Sequence, residues 1–237
     1  MLFFRQIWLW LGPIGATVII IVGLIVLHKD SSYSLNQIFS LSFILFGICW
    51  MISSLTEIIW IAGYPAVVLA RNVSNIAGIT ATICFLLTGI NVRYGTGIAF
   101  NPKVLITSFA IGACLSIVSI FDQVVLTEVD PLLGTQVIMG VPGIIALFVI
   151  PAILTLISVC IIISVSRKVD IPEKKQSLLL LAGGILFLTV GALLWAVQGF
   201  FLVIASYYGI LALDLSILST WLIGSLLCLR AFRKPPV

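Results

Sequence analysis

The chain is a succession of long apolar runs divided by short polar breaks. Trp8 to Leu27 is the first run, closed by His28, Lys29 and Asp30. The second, Ile38 to Ala62, ends at the turn-forming cluster Gly63-Tyr64-Pro65. Ala66 to Ile90 is the third, stopped by Asn91, Arg93 and a glycine-rich stretch. Val104 to Phe121 follows, with Pro102 just ahead of its start, where a missing N–H does no harm. A polar connection from Asp122 to Gln136 leads into the fifth run, Ile138 to Val165. Pro142 and Pro151 read as kinks there, of the kind that lipid-embedded helices tolerate. Arg167 to Lys175 is a loop. The remainder, Leu178 to Leu229, is twice one crossing and must fold back, with Ser206 to Gly209 as the turn.

A helix needs about 20 apolar residues to cross about 30 Å of hydrocarbon. The pattern therefore predicts an all-α polytopic membrane protein, a single seven-transmembrane helix bundle over residues 1–237. Its spans are 8–27, 38–62, 66–90, 104–121, 138–165, 178–205 and 209–229. The first run is too long for a signal-peptide core and no small-x-small site follows it, so it is expected to be retained.

Composition agrees: 62% of residues are hydrophobic and 8% charged, where a water-facing surface calls for about 25% charge. The expected solvent is the lipid bilayer. Cys49, Cys84, Cys114, Cys160 and Cys228 all lie inside apolar runs and form no CxxC, so they read as small hydrophobes.

With seven spans, the loops alternate between two sides. One side collects ten basic residues: Lys29, Arg93, Lys103, Arg167, Lys168, Lys174, Lys175, Arg230, Arg233 and Lys234. The other has only Arg5 and Arg71, and carries Asp122, Glu128 and Asp130. Basic residues in short loops stay cytoplasmic, which predicts an N-out, C-in protein of the cell membrane. The net charge of +4 then needs no nucleic-acid partner.

Three charges fall inside spans: Glu57 in the second, Arg71 in the third and Asp214 in the seventh. Each would cost a few kcal/mol at mid-bilayer, so such groups face a partner or a watery cavity. Counting from the turns at about 1.5 Å per residue puts Glu57 and Arg71 roughly 9 Å below the outer surface, with Asp214 and Gln198 close to the same depth. Trp60 and Trp195 lie within a turn of Glu57 and Gln198, and Asn72 and Asn75 follow Arg71. One reading is an outward-facing polar pocket of Glu57, Arg71, Asp214, Gln198, Trp60, Trp195 and Asn75, with Arg71 clamped between two carboxylates. A net charge of about −1 there favours a cationic or neutral polar ligand. The other reading is an ion-pair network that fixes helix register, with the tryptophans as interfacial anchors.

Several chemistries are not expected. The seventh span has no lysine for a retinal Schiff base, and the only histidine is His28, at a helix end. Zinc hydrolysis needs several clustered ligands, and serine proteolysis needs a base that the core lacks. No enzyme activity, cofactor or metal is expected.

Spans 1–3 and 5–7 read as a parallel duplication around span 4. Pro13 can be laid on Pro151, Ile44-Leu45-Phe46 on Ile185-Leu186-Phe187, Leu69-Ala70 on Leu211-Ala212, Glu57 on Gln198 and Asn72 on Asp214. This is similar to the three-plus-one-plus-three design of small sugar transporters, whose typical Pro-Gln dipeptide does not occur here. A second resemblance rests on Ser34-Leu35-Asn36-Gln37-Ile38-Phe39, followed by an apolar run and Trp50, with Arg71 and Phe85-Leu86-Leu87 in the next span. These residues resemble the N-terminal seven-helix sensor module of histidine kinases, which implies the same N-out, C-in topology. Those modules feed an attached kinase, whereas this sequence reaches only Val237. The expectation is a stand-alone seven-helix sensor or receptor-like protein that signals through a separate membrane or cytoplasmic protein partner. The alternatives are a small solute transporter and an accessory structural subunit of a membrane complex.

Overall fold

The computed structural model describes residues 2–130, 134–201 and 207–232, and side chains outside positions 1–10, 57, 60, 126–136, 198–211 and 233–237. Among the described residues seven helices are long and apolar enough to cross a membrane: they contain Leu11–Lys29, Ser34–Thr56, Tyr64–Tyr94, Pro102–Phe121, Val141–Ser166, Pro172–Val197 and Ala212–Ala231. In chain order the helices are α1 (Leu2–Lys29), α2 (Ser34–Ile59), α3 (Tyr64–Tyr94), the short α4 (Thr96–Ala99), α5 (Pro102–Phe121), α6 (Val141–Ile144), α7 (Ile150–Ser166), α8 (Pro172–Phe201) and α9 (Tyr207–Ala231).

Boundaries follow local chemistry. Pro65, Pro102 and Pro142 sit in the first turns of their helices, where the absent N–H has no partner to lose. Asn101 caps α5 by accepting the Lys103 N–H at 2.9 Å. The α2–α3 turn passes through Gly63 at φ 96°, a conformation that side chains disfavour. Three expected boundaries move. Helix α3 runs past Asn91 to Tyr94, because the Asn91 amide is buried against Ser34 Oγ at 3.2 Å. Pro142 opens a helix instead of kinking one. Gly209, expected to close the turn from Ser206, lies inside α9, and residues 202–206 lie outside the described residues.

Between α6 and α7 the helix widens into a π segment, Ile145–Val149, where the Ile150 N–H reaches back to Ile145 O. Pro151 follows at once. Its ring crowds the preceding turn and donates no hydrogen bond, and the wider turn absorbs the mismatch.

The polar connection is a β-hairpin, which amends the all-α expectation. Strand β1 (Gln123–Asp130) pairs antiparallel with β2 (Gly134–Met139), matching Gln123 to Met139, Val125 to Val137 and Val129 to Thr135. The register shifts between Val125 and Val129, a bulge. Ile138, expected to open the fifth span, belongs to this strand. Its β-branched neighbours Val124 and Val137 favour extended backbone.

The helices close into a ring in the order α1, α2, α3, α7, α8, α9 and back to α1. Helix α5 stands outside, against α3, α6 and the π segment. Its buried positions are Ser108, Gly112, Leu115, Ser116 and Ser119, and its other faces are exposed apolar side chains. The ring axis is filled with aromatics. At the end holding the C-terminus of α9, Phe39 packs on Phe43 (4.6 Å between ring centres), Phe232 (4.5 Å) and Phe85 (6.4 Å). Nearer mid-bundle Trp221 meets Trp50 (4.1 Å), Phe46 (5.3 Å) and Trp195 (6.5 Å), and Trp195 meets Phe148 (5.9 Å).

Candidate functional site at the hairpin end of the bundle

A layer at the two central tryptophans gives an internal ruler for depth. Trp50 fills the space over Gly15 of α1, where a Cβ would collide with the indole. Trp221 does the same over Gly191 of α8, and its Nε1–H donates to Leu188 O at 3.2 Å. Cys49 lies opposite Gly78 of α3. These contacts put Gly15, Trp50, Gly78, Gly191 and Trp221, on five helices, near one level.

Moving seven residues toward the hairpin end leads from Trp50 to position 57, from Gly78 to Arg71, from Gly191 to position 198 and from Trp221 to Asp214. Seven residues are nearly two full turns, so each position keeps its predecessor's helix face about 10 Å further along. Four polar positions on four helices thus share one level of the backbone.

The described side chains at this level are Arg71 and Asp214. Both are half-buried, and neither is without a partner. The side chains of Glu57, Trp60 and Gln198 lie outside the described residues; their backbones run in α2, in the 3-10 turn Trp60–Ala62 and in α8. One level below, Ser53 and Ser74 share a hydrogen bond of 2.7 Å, and Ser74 Oγ donates to Cys49 O at 2.9 Å, which pins α2 to α3.

Two expected site residues make contacts within the bundle. Trp195 belongs to the aromatic layer, edge-on to Phe148 and Trp221. Asn75 is buried and donates to Gln123 Oε1 at 3.0 Å, while Gln123 Nε2 donates to Asn72 Oδ1. Together with the Tyr64 hydroxyl, which donates to Val125 O at 3.0 Å, these amides moor the hairpin to α3 beside Arg71.

Asp122 forms a second mooring that sequence reasoning missed. Its carboxylate accepts the Gly143 N–H at 2.6 Å, and its carbonyl accepts the Gly140 N–H at 3.4 Å. A Cβ on either glycine would stand 2.7 Å from the carboxylate oxygens. An acid from the end of α5 therefore caps the exposed N–H groups where the next long helix begins. The spacing Gly140-x-x-Gly143 at a helix start was the available signal.

The Ser34-Leu35-Asn36-Gln37 stretch closes the α1–α2 turn. Asn36 Nδ2 donates to Asp30 O, Gln37 Nε2 donates to Ser31 O, and Ser40 Oγ ties α2 to Gly23 O. Among the described residues no three His, Cys, Asp or Glu side chains gather as metal ligands.

Comparison with protein-family models, with curated proteins and with solved structures returns no match. The class the fold defines is a helical bundle with seven helices of membrane-crossing length and apolarity.

Proposed function

We propose that this is a receptor-like protein of the cell membrane that takes a small cationic or neutral polar ligand at the level of Glu57, Arg71, Gln198 and Asp214. The observation that supports the reading is that these backbone positions share one level under a moored hairpin, with a packed aromatic axis beneath. A charge inside a membrane-length helix normally marks a pathway or a site. Here the described axis below that level is filled by tryptophans and phenylalanines, which suits a pocket open at one end. The hairpin end faces outward and the basic end the cytoplasm, by the asymmetry of Lys and Arg. A partner on the basic side would receive the signal.

The test is a thermal-unfolding screen of the detergent-purified protein against primary amines, quaternary ammonium compounds, amino acids and neutral sugars. A ligand at 100 times its Kd adds about 2.7 kcal/mol of stability. The expected result is saturable stabilisation of the wild type by an amine or a neutral polar compound. Asp214→Asn should keep nearly the wild-type melting temperature and lose that response. A collapse of the melting temperature in Asp214→Asn, with no compound acting on the wild type, would overturn the receptor reading in favour of structural glue.

A transporter is the second reading, and the relation between the two halves favours it. Laying Pro13 on Pro151 and Glu57 on Gln198 carries Gly15 to position 153 and Trp50 to Gly191, within the same layer. The Thr155–Thr189 hydrogen bond, 3.1 Å, then falls on Thr17 and Ile48, one residue from the contact of Gly47 with Ala16. Parallel repeats around an axis normal to the membrane are a transporter architecture. Uptake of a stabilising compound by proteoliposomes holding the protein would decide for transport.

A further inference from the structure

The connections at the basic end of the bundle differ in charge balance. In the α1–α2 turn Lys29 is followed by Asp30, and its Nζ donates to Phe232 O. The α7–α8 loop interleaves Arg167, Lys168, Lys174 and Lys175 with Asp170 and Glu173. The α3–α5 connection, residues 95–101, is bordered by Arg93 and Lys103. No acid occurs in the sequence between Glu57 and Asp122, so of the three connections this one alone has undiluted positive charge.

Helix α4 folds that connection back onto the bundle. Gly95 turns the chain at φ 79°, and its N–H donates to Asn91 O at 2.8 Å. Ala99 is fully buried in the apolar cluster that holds Ile83, Leu87, Val104 and Leu105. With that side anchored, the large side chains around it are left outside: Tyr94 is 51% exposed, Ile98 46% and Phe100 41%. The Arg93 guanidinium lies 5.1 Å from the centre of the Tyr94 ring. Arg93 is in the last turn of α3 and Lys103 in the first turn of α5, two helices that pack together, and both cations are exposed. The result is an apolar ledge between two cations, at the end of two membrane-length helices.

Three large apolar side chains held out on a short connection mark a contact surface. An acidic peptide would satisfy the cations and leave the ledge in water. A phospholipid offers both halves, a phosphate for the cations and an acyl boundary for the ledge, and tyrosine favours that level. The exposed Ile106 and Phe109 of α5 carry the apolar surface on from about one turn further in.

We infer that the α3–α5 connection binds the headgroup of an anionic phospholipid, with Arg93 and Lys103 on the phosphate and Tyr94, Ile98 and Phe100 at the acyl boundary. The inference needs the bundle to lie in a bilayer and is independent of any ligand at the level of Asp214.

The experiment titrates the full chain, delipidated in a neutral detergent, with dioleoyl phosphatidylglycerol or dioleoyl phosphatidylcholine. Bound lipid is counted by native mass spectrometry. An anionic surface attracts each nearby Lys or Arg by about fivefold in affinity, so Arg93→Gln with Lys103→Gln should weaken the first phosphatidylglycerol about thirtyfold and leave phosphatidylcholine within about twofold. Lys174→Gln with Lys175→Gln removes the same charge from the α7–α8 loop and should stay within about threefold of the wild type. On the unaltered chain, raising the salt to about 1 M should release phosphatidylglycerol and spare phosphatidylcholine. Equal losses in the two double variants, no preference for phosphatidylglycerol, or its retention at high salt would each overturn the inference. Displacement of the lipid by excess glycerol 3-phosphate would overturn it in favour of a free-phosphate site, and displacement by hexaglutamate in favour of an acidic protein partner.

Discussion

Replacing Asp122 tests how the hairpin is locked to the bundle. In Asp122→Ala the Gly143 N–H loses an acceptor at 2.6 Å. A hydrogen bond to a charged group is worth about 1.5–3 kcal/mol, and a carboxylate at a helix N-terminus adds about 0.3–1 kcal/mol. Asp122 is half-buried, so solvent screening pulls the total toward about 2 kcal/mol. For a chain of this length that is a fall of about 4–8 °C in melting temperature. Asp122→Asn keeps an acceptor without the charge and should lose about half as much. The reasoning is sharpened by Gly143→Ala. In the wild type the new Cβ would arrive 2.7 Å from Asp122 Oδ2, and overpacking of that kind costs about 1–3 kcal/mol. In Asp122→Ala the oxygens are gone, and the same methyl should be nearly neutral. A double-mutant cycle in detergent, read by circular dichroism, should give a coupling of about 1–2 kcal/mol, with faster hydrogen exchange at the Gly143 amide in both acid variants. Additive losses, or an Asp122→Ala protein as stable as the wild type, would refute the lock.

Three further outcomes are expected. In a cysteine-free background an impermeant thiol reagent applied outside cells should label Val124→Cys in the hairpin and spare Ile171→Cys in the α7–α8 loop; the reverse pattern would invert the topology. Arg71→Leu should destabilise the protein by about 3–5 kcal/mol through a partner charge left behind, and adding Glu57→Gln should recover part of this; strict additivity would mean the two side chains do not meet. The Ser32 hydroxyl, followed by the Ser32 and Tyr33 N–H groups, holds the Asp30 carboxyl below its ordinary 3.8. Its contribution to the α1–α2 turn is present above that value and is lost as pH falls through the lowered one, so Asp30→Asn should remove this part of the acid dependence in a thermal melt.

The apolar runs were legible because a bilayer imposes one length on every crossing, and a run of twenty apolar residues has few other uses. The hairpin was not. Val124 and Val125 are followed by Thr127, Glu128 and Asp130, and this mixture reads as loop until a partner strand fixes its register. The level proposed for Glu57, Arg71, Gln198 and Asp214 rests on counting along helices from their ends. Gly209, expected in a turn, lies inside α9. Facing was harder. Asn75 sits within a turn of Arg71 in sequence, yet its amide belongs to Gln123, a contact 48 residues distant that no local pattern encodes. Trp195 looked like an anchor because tryptophan favours membrane interfaces, and only the ring order reveals that its face points to Trp221.

Helix α5, outside the ring, has a consequence of parity. Three crossings leave the chain at the end opposite to where it entered, so a second triplet joined directly would thread the other way up. One extra crossing restores the direction, and α7, α8 and α9 then run parallel to α1, α2 and α3. For that duty only length and apolarity matter, plus a narrow seam at Ser108, Gly112 and Ser116 where α5 lies close to its neighbours. The rest of its surface is free of obligation to the ring. Sequence drift should therefore concentrate in this helix, while a deletion that shortens it below a full crossing would invert everything after it.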